Sequence, residues 1–236
     1  MNVDNILAAI EKFNPMVVYE DLGIVTDIVK FIQPTAILEL GVGGGGWILS
    51  IDSIVPTNIT FVGYEDFRMN YENDWADSIE QMDTYLKNQS QNCNIIIKNE
   101  NVNYLDLEYF KQQNFKFDVV RLDCLESRED INQLFYKIYP YTSNKCIFLV
   151  DDIVPNVCPN RFLSYMDKVY DGILKPVWFG NKEGAWCKNS YDSNALQDFI
   201  LQEACNNISA RNENMVWHNI THRLIQSHGG ISKSTN

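Results

Sequence analysis

Clustered positive charge is the first thing this chain lacks. Nineteen Lys and Arg stand against thirty-one Asp and Glu, a formal net charge of -12, and no stretch gathers the cations together. Phosphate backbones are held by such clusters, which argues against nucleic acid as the principal ligand. No apolar run approaches the roughly 18–20 residues that span a bilayer, so no membrane segment is expected. The N-terminus, Met1-Asn2-Val3-Asp4, has neither the basic start nor the apolar core of a secretory signal. Six cysteines (Cys93, Cys124, Cys146, Cys158, Cys187, Cys205) are scattered without a C-x-x-C pair. Reduced thiols and a cytoplasmic location are the expectation, with disulfides or a zinc site the minority reading. Histidine is scarce; His218 and His222 lie four apart without an H-E-x-x-H motif and read as structural.

What is present is a globular composition: 236 residues, 45% hydrophobic, with twelve Tyr and twelve Phe. That length suits one α/β domain with a full core. The most informative stretch is Ala36-Ile37-Leu38-Glu39-Leu40-Gly41-Val42-Gly43-Gly44-Gly45-Gly46-Trp47. A short apolar run ends in an acid, breaks into a turn holding five of the twelve glycines, and resumes in a helix-compatible pattern. Strand, glycine turn, helix is the opening of a nucleotide-binding βαβ unit. Glycine admits positive φ and lets a ligand lie against the main chain.

Taken in order, residues 5–13 and 19–33 show apolar spacing of two helices, and Pro34 hands over to the first strand. Further strands are predicted at Thr60–Tyr64, Asn94–Ile97, Phe117–Asp123 and Cys146–Val150. Helices are predicted over 47–54, 71–90, 105–112 and 130–139. Such alternation predicts a doubly wound, mostly parallel sheet. Beyond residue 155 a helix over 160–170, strands near Val177–Phe179 and Ala185–Cys187, a helix at 194–205 and a strand-like 215–225 follow. The division expected is N-terminal helices over 1–34, a main domain over 35–226 whose cofactor half ends at 155, and a flexible tail over 227–236. Trp178, Trp186 and Trp217 read as core rather than pocket, and Arg161 as a surface cation.

Open α/β sheets bind ligands outside the carboxyl ends of their strands. Four of the predicted strand ends carry acids: Glu39, Glu65 with Asp66, Asp123, and Asp151 with Asp152. Glu65 lies 24 positions after Gly41, near the offset at which an acid meets a ribose hydroxyl. Glu39-Leu40-Gly41-Val42-Gly43 followed by Glu65 resembles the cofactor site of class I S-adenosylmethionine-dependent methyltransferases, which have a Rossmann-like fold. The loop also resembles the E-x-G-V-x-R-G-G-S pattern of metal-dependent O-methyltransferases acting on antibiotic sugars and of their cephalosporin-modification relatives. Phe117–Asp123 is similar to that family's F-D-h-h-h-h-D strand, and Phe148–Asp152 to its h-h-h-D-D strand. The chain departs from the pattern at Gly44, where Arg is usual, at Trp47, where Ser is usual, and at Arg121, an intrusion in the strand.

The resemblance implies a methyltransferase with Glu39, Gly41, Gly43, Gly45, Glu65, Asp66 and Asp123 around the cofactor. Glu39 would orient the methionine amine, and Glu65 would take the ribose hydroxyls. Asp123, Asp151 and Asp152 would converge on Mg²⁺ or a similar cation, for which carboxylate clusters are suited. Asp123 and Glu126 are the implied catalytic residues; Glu126 stands where catechol-type relatives carry Lys. The partner expected is a small hydroxylated substrate, a sugar or a diol, with a homo-oligomer left open. Two alternatives stand beside this reading. One is a non-catalytic member of the same fold. The other is an NAD-dependent oxidoreductase, because Gly41-x-Gly43-x-x-Gly46 also fits the dinucleotide fingerprint.

Overall fold

A strand that is apolar on both sides has to sit in the middle of a sheet with both faces covered. Ala36–Leu40 (β1) does, with all five residues buried. The computed structural model describes residues 19–52, 54–66, 79–154, 157–180 and 182–210. Its elements run α1 (Tyr19–Ile32), β1, α2 (Gly46–Asp52), β2 (Ile59–Glu65), α3 (Ile79–Gln89), β3 (Cys93–Asn99), α4 (Leu107–Gln112) and β4 (Phe117–Leu122). They continue as α5 (Arg128–Ile138), β5 (Thr142–Val150), α6 (Pro159–Tyr170), β6 (Leu174–Phe179), β7 (Gly184–Lys188) and α7 (Asn194–Ala210). The helix predicted over 5–13, the start of the one predicted over 71–90, and the strand-like 215–225 with Trp217, His218 and His222 lie outside the described residues.

The sheet has seven strands in the order β3-β2-β1-β4-β5-β7-β6. β1 to β5 pair in parallel, whereas β7 runs antiparallel to both β5 and β6. The chain builds outward from β1 to β3 and then returns to lay β4 on the other side of β1. That reversal opens a crevice beyond the carboxyl ends of β1 and β4, the place where doubly wound sheets hold ligands. Hydrogen bonding continues past the strand ends: Asp123 N–H donates to Leu40 O at 2.8 Å and Asp151 N–H to Leu122 O at 3.0 Å. The acidic residues after β4 and β5 are thereby held in register with β1.

Alternation along the strands divides the core. Ile37, Phe61, Val119, Ile147, Leu149 and Ala185 pack under α1, α2 and α7. Leu38, Val62, Val120, Phe148 and Trp186 face the other way, against α4, α5 and α6. Successive strand residues point to opposite faces. Glu39, Arg121, Asp123 and Asp151 therefore share the parity of the first face, two or four residues beyond its apolar members. Trp178 and Trp186 are buried core residues, as read from the sequence.

Several boundaries move for local reasons. The helix expected from 130 starts at Arg128 because Ser127 caps it, its side chain accepting from Asp130 N–H. The one expected from 105 starts at Leu107, behind a 3₁₀ turn, with Asp106 accepting from Tyr109 N–H at 2.9 Å. Asp118, buried near the start of β4, accepts from the Thr35 N–H and hydroxyl at 2.7 and 2.8 Å and anchors the entry to β1.

Gly41 is the glycine that the crevice cannot do without. Its φ is +91°, and a Cβ there would stand 2.4 Å from the Asp123 carbonyl oxygen. Gly43, at φ +52°, faces open space instead. Gly41→Ala is expected to cost about 2 kcal/mol or more, strain and clash together, and Gly43→Ala about 1 kcal/mol. Urea unfolding of the two variants checks this; equal losses would contradict the close approach of β1 and β4.

Candidate active site

The rim beyond β1, β4, β5 and β7 is organised by a cation. Arg121, on β4 beside Glu39 of β1, is 4% exposed. Its Nη1 donates to Glu39 Oε1 at 2.8 Å and to Asp123 Oδ2 at 3.1 Å. Its Nη2 donates to Asp151 Oδ2 at 2.7 Å and to Glu183 Oε1 at 3.1 Å. One guanidinium thus joins carboxylates from β1, from the ends of β4 and β5, and from the loop before β7. Only the fork of Arg, with donors in a fixed plane, can serve four acceptors in this way. The Trp47 ring, in the first turn of α2, lies 5.4 Å from the Arg121 Cζ, a cation–π contact. Two departures from the family pattern are therefore one physical unit.

A second guanidinium closes the same rim. Arg161 of α6 is 6% exposed, which corrects its assignment to the surface. Its Nε donates to Leu125 O at 2.9 Å, and its Nη1 to Asp151 O at 3.1 Å and Asp123 Oδ1 at 3.4 Å. It also lies 3.9 Å from an Asp152 carboxylate oxygen, and Lys182 approaches the other at 3.7 Å. Leu125 and Asp152, the backbone positions tied down here, both have positive φ, +64° and +53°. Ile153 N–H donates to Lys182 O at 2.7 Å, so the loop before β7 is fastened to the end of β5.

The structure brings Glu39, Asp123 and Asp151 around one point, with Asp152 on the Arg161 side. It does not make of them the expected Mg²⁺ cluster. Among the described residues no group of three or more His, Cys, Asp or Glu side chains is arranged to hold a metal ion. The reason is local: Asp123 gives one oxygen to each arginine, and Asp151 gives one to Arg121 and the other to the Asp152 N–H at 2.8 Å. The donor set as built does not fit a divalent cation.

On the other side of β1, Glu65 is buried at the end of β2, and its Oε2 accepts from Gly43 N–H at 2.8 Å. Gly41, Gly43 and Gly45 all have positive φ, and Gly45 packs so closely on Leu86 of α3 that a Cβ would meet it at 2.5 Å. Asp66 is half-buried and accepts from Asn101 Nδ2 at 3.1 Å. Glu126 stands apart, exposed, with its carbonyl held by Asn160 Nδ2 at 3.0 Å. The five described cysteines are free thiols.

Burial dominates the charge balance. Glu39, 0% exposed, is pushed up from 4.5 to about 8, by loss of solvent first and by Asp123 and Glu65 as well, with Arg121 pulling the other way. Asp123 is raised to about 6, by burial and by Asp151, against the pull of both arginines. Glu65 is raised by burial, with the Gly43 and Val42 amides opposing. Because folded Glu39 binds its proton more tightly than the unfolded chain does, its contribution to stability is complete below pH 4.5 and is lost as pH rises through about 8. Glu39→Gln mimics the protonated form and should flatten that loss. Urea midpoints between about pH 5 and pH 8 check it; an equally steep decline in the variant would remove Glu39 from this role.

No protein-family model matches the chain, and no curated protein does. Solved structures do. The O-methyltransferase TomG from Streptomyces achromogenes, involved in tomaymycin synthesis and solved with SAM, is 14% identical with a TM-score of 0.56, over 79% of this chain and 88% of that one. An O-methyltransferase from Bacillus cereus in complex with SAH is also 14% identical, with a TM-score of 0.55 over 79% and 90%. A TDP-rhamnose 3'-O-methyltransferase of calicheamicin biosynthesis is 13% identical, with a TM-score of 0.50 over 79% and 93%. The strand order with its single antiparallel β7, the glycine loop after β1 and these likenesses give the conclusion on architecture: the chain has the Rossmann-like fold of class I methyltransferases.

Proposed function

We propose that this protein is an S-adenosylmethionine-dependent O-methyltransferase acting on a small hydroxylated molecule. The observation that carries the reading is the pairing, across the switch point, of a glycine loop with two buried acids. The residues present fit the cofactor. An added Cβ at Gly43 would meet nothing within 4 Å, so the loop has room beside it, and Glu39 Oε2 is buried with no hydrogen-bond partner. The neighbours solved with SAM or SAH share this fold, and one neighbour acts on a nucleotide sugar. The NAD reading lacks a comparable set of supports.

The chemistry the cofactor supplies when bound is an electrophilic methyl group on a sulfonium. The chain's own residues prepare the rest. Glu39 Oε2, which has no hydrogen-bond partner, would hold the cofactor's ammonium, whose charge would favour the ionised carboxylate with its proton given up to solvent. Glu65 can exchange the Gly43 amide for a ribose diol. Asp66, with one oxygen on Asn101, flanks that position. Asp123, whose side chain is 29% exposed, is held by two arginines yet keeps access to solvent. With its proton affinity raised to about 6 it is a stronger base than an ordinary Asp, and it is better placed than exposed Glu126 to take the hydroxyl proton. No step here passes through a metal ion.

Calorimetric titration with S-adenosylhomocysteine, with NAD in parallel, tests the cofactor. Micromolar binding of the first alone is expected, weakened about tenfold in Glu65→Ala, the loss of one charge-assisted contact. Binding of neither ligand would leave a methyltransferase-shaped scaffold. For the base, Asp123→Asn should lower kcat by about 10²–10⁴ while S-adenosylhomocysteine still binds. The wild-type rate should rise with pH through about 6. Full activity in the variant would return the role to Glu126.

A further inference from the structure

Three carboxylates at the ends of adjacent strands carry three negative charges, and a divalent ion among them would supply two positive ones. Here two guanidiniums supply the same charge. Arg121 reaches Asp123 and Asp151, and Arg161 reaches Asp123 and approaches Asp152, all between 2.7 and 3.9 Å. The substitution is built in rather than incidental. Arg121 is fully enclosed, is packed under the Trp47 ring, and recruits Glu39 and Glu183 as two further acceptors. A metal ion bridging the Asp123 and Asp151 oxygens would have to settle against the charge of the buried guanidinium that already bridges them.

We infer that Arg121, backed by Arg161, takes the place of a divalent cation on this rim, so that the site works without a bound metal ion. The claim about cations stands on the rim geometry; its meaning for catalysis rests on the methyltransferase reading above. It narrows the substrate class. A metal ion selects acceptors by chelating two vicinal oxygens, whereas a rim whose acids are already paired with guanidiniums needs only one hydroxyl directed at Asp123. The acceptor is therefore a molecule with a single reactive hydroxyl in the crevice, and a neighbouring hydroxyl is not required.

The test uses Mn²⁺ as the probe, followed by electron paramagnetic resonance and by thermal unfolding of the full chain. Wild-type protein is expected to leave Mn²⁺ free up to millimolar concentration, and Tm should not move. Arg121→Gln removes the internal cation and leaves Glu39, Asp123, Asp151 and Glu183 together. This variant should bind Mn²⁺ at least tenfold more tightly than wild type and gain Tm with it, and Asp151→Asn in the same background should abolish the gain. Stoichiometric micromolar Mn²⁺ binding by wild type, lost in Asp151→Asn, would overturn the inference. If Arg121→Gln does not fold, the wild-type Mn²⁺ titration still decides. Its companion is S-adenosylhomocysteine affinity, expected to be unchanged between EDTA and Mg²⁺. The two readings fail separately. Wild-type Mn²⁺ binding with intact S-adenosylhomocysteine binding sinks only the cation replacement, whereas no binding of either ligand sinks only the methyltransferase reading.

Discussion

The Arg121 guanidinium donates to one carboxylate from β1, one from the end of its own strand, one from the end of β5 and one from the loop before β7. A buried charge is costly unless it is paired and fully hydrogen-bonded, and breaking such a set leaves uncompensated charge behind. The geometry of the whole crevice follows from this one requirement. Four strand ends must stay in register for four acceptors to reach one planar fork. The hydrogen bonds that extend the ladder past Leu40 and Leu122 keep them there. The site is therefore rigid on the β4–β5 side.

The β1–β2 side is built on a different principle. There the main chain does the positioning: the loop, with positive φ at Gly41, Gly43 and Gly45, presents the Gly43 N–H to Glu65, and Gly41 allows β1 to lie against the Asp123 carbonyl. A carboxylate satisfied by loop amides can release them to a ligand hydroxyl without leaving a charged partner stranded. An acid locked in a guanidinium fork has no such freedom. On the proposed reading, an adaptable side for the cofactor and a fixed side for the acceptor are what a methyl transfer governed by positioning would use.

Much of the architecture could be read from residue order because parallel strands buried on both faces appear as short apolar runs. Ala36–Leu40, Phe117–Leu122 and the end of β5 are of that kind, and the acids that follow them mark the rim directly. The limits of the reading were equally physical. β5 begins at Thr142 rather than Cys146, because its first four residues, Thr142-Ser143-Asn144-Lys145, are polar and carry no hydrophobic signal. Arg161 reads as a surface cation because the buried stripe of α6 is Arg161, Ser164, Tyr165 and Lys168. Its spacing is helical but its chemistry is mostly polar. Glu183 carries no motif in the sequence, although it shares the parity of Ala185 and Cys187 on β7. Arg121 was visible as an anomaly, yet its meaning depends on Trp47 and Glu183, which only the fold brings beside it.

The antiparallel end of the sheet is usually thought of as a closing flap, but here it carries part of the charge balance. Glu183 reaches Arg121 from the loop that joins β6 to β7, and the Lys182 carbonyl fastens that loop to Ile153. Every acid singled out in the sequence lies before residue 153, so a chain ending after β5 would contain them all. During synthesis, the first five strands emerge with Arg121 lacking one of its acceptors and with Trp186 absent from the opposite face. The rim thus reaches its final form only when the last hairpin docks. Assembly of the chemistry is coupled to completion of the fold, and a partly made chain has no finished site to offer.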